Sequence, residues 1–213
     1  MSYRVVVLIS GTGSNLQALL TAQMSGELGR AEVVLVVADR ADAYGLQRAL
    51  QHNIAAAFVP LQRPRHIATR TLWEQRLADV ISAFDPDLVV LSGFMRVLSA
   101  AFLTRFSGQV INQHPALLPD DGGDIVYTRN GHAIPALRGA HVVTDALRLG
   151  LPATGCTIHY ATPLVDNGPV LARVEVPIFP DDSPERLHER IKVEERRMIV
   201  EVVRDLARRS AGR

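Results

Sequence analysis

Short apolar runs alternate with amphipathic segments along the first half of the chain. Residues 4–9 read RVVVLI, a β-branched run without polar alternation that is typical of a strand buried on both faces. Strand, turn and helix then recur, which predicts an α/β fold with an open, doubly wound, mostly parallel sheet. Further strands are expected at 32–38, 54–59, 87–92 and 109–113, and helices at 16–26, 43–51 and 70–84.

The pattern changes in the C-terminal part. Residues 155–161 (GCTIHYA) and 170–178 (VLARVEVPI) alternate more strongly, which predicts antiparallel strands with one solvated face. A long helix is expected from Ser183 to Arg209, because Ser183 and Pro184 suit the cap and the first helical position. We expect one domain over 1–213, since single α/β domains commonly reach this length.

Composition and charge narrow the class of partner. The chain has 23 basic and 22 acidic residues, a net charge of +1. This balance argues against nucleic acid or membrane binding through a broad positive field, so small-molecule substrates are expected. A single cysteine, Cys156, fits a reducing compartment, and the N-terminus lacks the features of a signal peptide, so a cytoplasmic location is expected. The sequence leaves a monomer and a homodimer equally open.

A glycine-containing turn follows the first strand. Residues 10–15 read SGTGSN, and a helix is expected directly after them. Glycines allow the backbone to approach a ligand, and the helix offers free N–H groups to an anion such as phosphate. The turn matches neither the nucleotide-triphosphate loop nor the three-glycine dinucleotide motif. A tight turn in which Ser14 or Asn15 caps the helix is the structural alternative.

Two further motifs carry polar groups suited to catalysis. Asn112 and His114 lie at the end of a buried strand with one residue between them, so their side chains are expected on the same face. Asp166 lies in a loop between two expected strands, from which a carboxylate could orient a histidine. Each motif alone also fits an ordinary turn. The other histidines, His66 among them, show no metal-ligand spacing, and no metal is expected.

The ordered combination of these motifs is specific. The segments VVVLISGTGSNLQALL, DLVVLSGFMRVLS, INQHPALLP, TGCTIHYATPLVDNGPVL and LHERIKVEERR together span almost the whole chain. In this order they resemble the folate-dependent glycinamide ribonucleotide formyltransferases of purine synthesis. The resemblance implies a Rossmann-like formyltransferase fold and 10-formyltetrahydrofolate as co-substrate.

The resemblance also implies roles for individual residues. Asn112, His114 and Asp166 match the catalytic trio of the family. Asn112 and a charged His114 would stabilise the oxyanion, and Asp166 would raise the pKa of His114. The substrate side is matched by Gly13, Ser14, Asn15, Lys192 and Glu195. The folate side is matched by Arg70, Met95, Arg96, Val97 and Leu98, and by the loop Thr162, Pro163, Leu164, Val165 and Asp166.

One segment departs from the family pattern. Residues 120–135 (DDGGDIVYTRNGHAIP) are interpreted as a 16-residue loop insertion close to the expected active site. A flexible lid, an inert excursion and an oligomer contact are the alternatives, and the inert excursion is favoured. Glycine and Asn-Gly signals predict a mobile loop or a small hairpin through residues 125–127.

Related functions provide the rival hypotheses. Methionyl-tRNA formyltransferases and formyltetrahydrofolate hydrolases usually carry an additional domain that we do not expect here. Sugar-nucleotide formyltransferases would not need the SGTGSN turn. A non-catalytic folate-binding protein is disfavoured by the presence of Asn112, His114 and Asp166.

Overall fold

The computed structural model describes residues 1–61 and 67–212. Its strands are β1 (Tyr3–Ile9), β2 (Ala31–Ala38), β3 (Ala55–Phe58), β4 (Leu88–Leu91), β5 (Val110–His114), β6 (Ile125–Tyr127), β7 (Ala133–Pro135), β8 (Ala153–Tyr160) and β9 (Val170–Pro177). Its helices are α1 (Ser14–Met24), α2 (Tyr44–Gln51), α3 (Ile67–Ser82), α4 (Ala100–Arg105), α5 (Val142–Arg148) and α6 (Pro184–Ser210).

Seven strands form one sheet in the order β3-β2-β1-β4-β5-β8-β9. Strands β1 to β5 pair in parallel, whereas β8 and β9 join antiparallel. The expected α/β fold, with a mostly parallel sheet and antiparallel C-terminal strands, is confirmed. Strands β1, β2 and β3 follow one another towards one edge of the sheet, and β4 then pairs with the opposite side of β1. The boundary between β1 and β4 is therefore a topological switch point. Open α/β sheets bind ligands at the carboxyl ends of such strands.

The apolar run in β1 contributes buried side chains to both faces of the sheet. Val5, Val7 and Ile9 pack in a core with residues of α1 and α6, and all three are fully buried. Val6 and Leu8 point to the opposite face, where residues of α3 and α4 cover them. Covering both faces removes the polar alternation from the central strands, and this explains the pattern seen in the sequence.

The expectation of a solvated face on the strand at 155–161 is wrong. Strand β8 is buried along Ala153–His159 on both faces, because it lies inside the sheet between β5 and β9 and α6 covers it. Only β9, at the sheet edge, keeps substantial partial exposure. The polar residues of this segment, Thr157 and His159, are buried, and Thr157 hydrogen-bonds inward to the backbone.

Residues 120–135 contain an antiparallel hairpin of β6 and β7. Val126 and Ile134 are buried and pack with Leu117, the residue three positions after His114. Tyr127 and His132 are exposed on this hairpin. The hairpin therefore has a small apolar core of its own that is anchored on the segment following β5. Within the described ranges, no helix is long and apolar enough to span a bilayer.

Candidate active site

Two adjoining cavities lie at the carboxyl ends of β1, β4 and β5. The first has a volume of about 250 Å³ and the second about 480 Å³. Gly93, Met95, Gln113, Pro115 and Ala140 line both of them. This is the switch point of the sheet, so the fold places both cavities where α/β proteins bind their ligands.

The structure brings Asn112, His114 and Asp166 together in the wall of the first cavity. Asn112 Nδ2 lies 3.2 Å from Asp166 Oδ1, and His114 Nδ1 lies 3.3 Å from Asp166 Oδ2. Asn112 and His114 project from the same face of β5, and the loop between β8 and β9 carries Asp166. The sequence expectation for the proximity of these three side chains is confirmed.

A fourth polar side chain, His159, joins this cluster. Its Nδ1 lies 2.9 Å from the carbonyl oxygen of Tyr160, which can only accept a hydrogen bond. In the neutral ring Nε2 is then the acceptor, and it lies 3.2 Å from Asn112 Nδ2. One amide hydrogen of Asn112 thus points to His159 and the other to Asp166. An oxyanion that binds Asn112 must replace one of these partners.

Sequence reasoning missed His159 because its position beside Asn112 depends on which strand pairs with β5. In the antiparallel pairing of β5 with β8, His159 lies directly opposite Asn112. Directly opposite residues in such a pair have side chains close together on one face of the sheet. The only sequence signal is a polar residue within a buried strand that pairs with Asn112 across β5 and β8.

The pKa of His114 is shifted in the direction opposite to the sequence expectation. Burial lowers the pKa of His114 below its ordinary value, and the attraction of Asp166 only partly opposes this effect. Nε2 of His114 donates a hydrogen bond to the Leu137 carbonyl oxygen at 2.7 Å. Nδ1 faces Asp166 Oδ2 at 3.3 Å, so protonation of Nδ1 gives the ring an acceptor at both nitrogens.

Asp166 is held as a carboxylate by its neighbours. Burial raises the pKa of the Asp166 carboxyl, but the rings of His159 and His114, when charged, and the Gly139 N–H lower it by more, so the net shift is below the ordinary value. The Gly139 N–H donates to Oδ2 at 2.9 Å. Asp166 also has a φ of 50°, a left-handed conformation that non-glycine residues rarely adopt. Its backbone is therefore strained at the position that brings its carboxylate beside His114.

The first cavity is lined mainly by apolar side chains. Most of the expected folate-side residues reach it: Met95, Arg96, Val97, Leu98, Thr162, Leu164, Val165 and Asp166. Arg70 and Pro163 are not in its wall. Arg70 instead donates to the carbonyl oxygen of Val97, and its Nε lies 3.4 Å from Glu74 Oε1. It therefore contacts a residue of the cavity wall without lining the cavity itself. The guanidinium of Arg96 pairs with buried Asp39 at 2.5 Å.

The second cavity is built around the glycine turn and the start of α1. Gly13, Ser14 and Asn15 line it, as do Lys192 and Glu195 from α6. The residue that caps α1 is Gly13, in the left-handed region at φ 69°, and no side chain caps the helix. The alternative in which Ser14 or Asn15 acts as the cap is therefore wrong. The first N–H groups of α1 remain available to an anion.

Helix α6 brings both a cation and a carboxyl group to this cavity. Lys192 Nζ lies 2.7 Å from Glu189 Oε1, one turn earlier on α6. Glu195 accepts from Asn15 Nδ2 at 3.3 Å, and burial raises its pKa despite Asn15 and Lys192. Asn15 Oδ1 is buried and has no hydrogen-bond partner among the described residues. His188, which sequence reasoning missed, also lines this cavity.

The turn depends on a close approach between two glycines. A Cβ at Gly13 would lie 2.9 Å from the Gly45 backbone, and its φ is unfavourable for any side chain. We expect Gly13→Ala to lower the free energy of unfolding by about 2–4 kcal/mol, from backbone strain and overpacking together. Urea denaturation measures this change.

Gly26→Ala provides the matched control. Gly26 has a similar φ of 78°, but a Cβ there would meet nothing within 4 Å. Only the backbone strain applies, so a loss of about 1–2 kcal/mol is expected. Equal losses in the two variants would contradict the role assigned to the contact with Gly45.

Across residues 1–61 and 67–212, no group of three or more His, Cys, Asp or Glu side chains is arranged to hold a metal ion. His66, considered in the sequence analysis, lies outside the described residues.

Comparisons with known proteins agree in both sequence and fold. The sequence model of the family described as formyl transferase matches residues 3–203. A phosphoribosylglycinamide formyltransferase of Mycobacterium tuberculosis is 40% identical over 96% of this chain and 85% of its own length. The solved glycinamide ribonucleotide transformylase 1 of Symbiobacterium toebii has a TM-score of 0.84 and 36% identity, covering 97% of this chain and 88% of its own. The phosphoribosylglycinamide formyltransferase structure from Coxiella burnetii has a TM-score of 0.83 and 37% identity, covering 100% and 89%.

Proposed function

The chain belongs to the formyl transferase family, and from this premise we propose that it transfers the formyl group of 10-formyltetrahydrofolate to the amine of 5-phosphoribosylglycinamide. The products are formylglycinamide ribonucleotide and tetrahydrofolate, in de novo purine biosynthesis. The observation that carries the proposal is the position of Asn112, His114 and Asp166 in the wall of one cavity, adjacent to a second cavity at the N-terminus of α1. One cavity suits a folate and the other a phosphate.

The first cavity is assigned to the folate. Met95, Val97 and Leu164 give it exposed apolar walls, which suit the flat pterin ring. The loop from Thr162 to Asp166 supplies backbone groups, and Thr162 Oγ1 already donates to the Leu164 carbonyl oxygen at 3.0 Å. This contact holds the loop in a tight turn, so that the formyl donor and Asp166 share one wall.

The second cavity is assigned to the phosphorylated amine. The N–H groups of Gly13, Ser14 and Asn15 are in position to bind the phosphate at the start of α1. Lys192 adds a positive charge, and Asn15 Oδ1, which has no hydrogen-bond partner within residues 1–61 and 67–212, can accept from a ribose hydroxyl. Because burial raises the pKa of Glu195, this carboxyl can take up a proton and repel the phosphate less.

The geometry supports a stepwise proton transfer. The amine nitrogen attacks the formyl carbon and an oxyanion develops, which Asn112 stabilises after releasing one of its partners. Neutral His114, with its pKa lowered by burial, accepts the proton that the amine loses, directly or through water. Asp166 stabilises the imidazolium that forms, and the same proton passes to the folate nitrogen as it leaves.

The acceptor dependence of folate consumption tests this proposal. Conversion of 10-formyltetrahydrofolate to tetrahydrofolate is followed by absorbance, with 5-phosphoribosylglycinamide present, absent, or replaced by its dephosphorylated form. Rapid conversion only with the phosphorylated amine is expected. Equal conversion without any amine would identify a hydrolase and contradict the proposal.

The role of Lys192 in phosphate binding gives a quantitative prediction. Lys192 is the only lysine in the 213 residues. Lys192→Met keeps the apolar stem but removes the charge, so the KM for the phosphorylated amine is expected to rise about 10-fold with a smaller change in kcat. Steady-state kinetics at saturating folate measures both constants.

Arg208→Met is the matched control for Lys192→Met. It also removes one positive charge and one i,i+3 ion pair from α6, since Arg208 Nη2 lies 3.5 Å from Asp205. Arg208 is exposed near the end of the helix and is not in the wall of the second cavity. An equal rise of KM in both variants would contradict the assignment of Lys192 to the phosphate site.

The cytoplasmic location belongs to the same proposal. It rests on the single cysteine, Cys156, which is free and fully buried.

A further inference from the structure

Arg138 connects the segment 120–124 to the active-site loop. Its Nε donates to the carbonyl oxygen of Asp166 at 3.1 Å. Its Nη2 donates to the carbonyl oxygens of Gly122 at 3.1 Å and Gly123 at 2.6 Å, and its Nη1 lies 3.3 Å from Asp124 Oδ1. The side chain is 21% exposed, so most of it is shielded from water. One guanidinium thus bridges two loops that are more than 40 residues apart.

The two loops also fit each other closely. Asn167 Nδ2 donates to the same Gly122 carbonyl oxygen at 3.0 Å. Gly122 has a φ of 70°, and a Cβ on it would lie 2.4 Å from Asn167 Oδ1. The segment is therefore held against the loop of Asp166 by hydrogen bonds and by a close contact in which a Cβ on Gly122 would displace the Asn167 side chain. The hairpin behind it is anchored by buried Val126 and Ile134.

Neighbouring backbone groups of Arg138 contact the catalytic side chains. The Leu137 carbonyl oxygen accepts from His114 Nε2, and the Gly139 N–H donates to Asp166 Oδ2. Residues 137–139 therefore touch both members of the His114–Asp166 pair, while the guanidinium between them binds the Asp166 backbone. Asp166 is in a strained conformation that persists only where its surroundings fix it.

We propose that Arg138 is a positioning residue for catalysis: it locks Asp166 in its left-handed conformation against the segment 120–124 and thereby fixes the carboxylate beside His114. The segment 120–135 is then a structural support of the active site rather than an inert excursion. This inference rests on the proposed function for its kinetic consequence, but not for the geometry that it assigns to Asp166 and His114.

The first test needs no substrate. The titration of the His114 ring is followed by NMR, with its signal assigned from a His114→Ala spectrum. Arg138→Lys keeps the positive charge but cannot bridge four acceptors. If the Asp166 carboxylate moves away, His114 loses the attraction that partly offsets its burial, so a lower pKa is expected for His114 in this variant. An unchanged or raised pKa would overturn the proposal.

Arg173→Met provides the matched control, because Arg173 also binds the segment 120–124, through Asp120. Arg173 Nη1 donates to the Leu118 carbonyl oxygen and Nη2 to Asp120, both at 2.9 Å, yet it makes no hydrogen bond to Asp166. This variant should leave the pKa of His114 at the wild-type value. An equal fall in both variants would show that loosening the segment alone is sufficient, and would overturn the specific role of Arg138.

The second test is a double-mutant cycle on formyl transfer. Arg138→Met is expected to lower kcat by up to about 10²-fold with little change in the KM for the phosphorylated amine, because the phosphate site lies in the other cavity. In an Asp166→Asn background, the same substitution should cost far less, since Arg138 acts through Asp166. If the losses of kcat in the two single variants simply added in the double variant, the action of Arg138 through Asp166 would be contradicted.

The two tests also separate this inference from the proposed function. If the wild type transferred no formyl group but the pKa of His114 fell in Arg138→Lys, the function would fail and the positioning role would stand. If transfer occurred but that pKa did not change, the positioning role would fail alone.

Discussion

Replacing His114 with alanine is expected to lower kcat for formyl transfer by about 10²–10⁴-fold, because the group that moves the proton is lost. His114 Nδ1 is 3.3 Å from Asp166, and its ring lines the cavity assigned to the folate. The KM for the phosphorylated amine should change little, since the proposed phosphate site at the start of α1 does not include His114. Steady-state kinetics with both substrates measures the two constants.

His132→Ala controls for the removal of a histidine close to the site in sequence. His132 is exposed on the hairpin and is not in the wall of either cavity. Its loss should leave kcat at the wild-type value. A His114→Ala enzyme with more than a tenth of wild-type kcat would contradict the role given to His114.

Replacing Asp166 with asparagine should reduce kcat by about 10²-fold or more, because the charge that stabilises the imidazolium is lost. The fold should survive, since asparagine tolerates the φ of 50° at this position at least as well as aspartate. Asp166 raises the pKa of His114 against the effect of burial. Its removal lowers that pKa further, so the acid limb of kcat/KM is expected to move to lower pH.

The measurement is a pH profile of kcat/KM for the wild type and for Asp166→Asn. Asp145→Asn on α5 neutralises a partly exposed carboxylate that pairs with Arg148 at 3.1 Å and is not in either cavity wall. It should match the wild type throughout. An Asp166→Asn profile with wild-type rates, or with its acid limb moved to higher pH, would contradict the assignment.

The sequence predicted the parts of the site that depend on strand register. Asn112 and His114 are two positions apart on β5, and a period of two places them on the same face. The glycine turn after β1 and the end of β5 meet because carboxyl ends of parallel strands share one edge of a sheet. Proximity of Asp166 came from the family resemblance, because no local pattern links the β8–β9 loop to β5.

The parts that sequence did not predict depend on long-range packing. His159 lies opposite Asn112 through the antiparallel pairing of β8 with β5, and Leu137 contacts His114 only through its backbone carbonyl. A backbone contact of this kind leaves no signature in residue type. The same holds for Arg138, whose acceptors are mostly carbonyl oxygens.

The protonation of His114 shows how burial can reverse a pairwise argument. An adjacent carboxylate alone would raise the pKa of a histidine, which was the sequence expectation. The side chain of His114 is only 3% exposed, and desolvation then has the larger effect. Burial of a strand-end residue depends on the loops that fold over it, here residues 137–140 and 162–166, and the sequence does not specify their positions.

The destination of the formyl group tests the central claim most directly. 10-Formyltetrahydrofolate labelled with carbon-13 in its formyl group is mixed with 5-phosphoribosylglycinamide and either wild-type protein or His114→Ala. The account predicts that the wild type delivers the label to the amine as a formamide, at a rate at least about 10²-fold above that of the variant. Label recovered as free formate, or delivered at equal rates by both proteins, would contradict it.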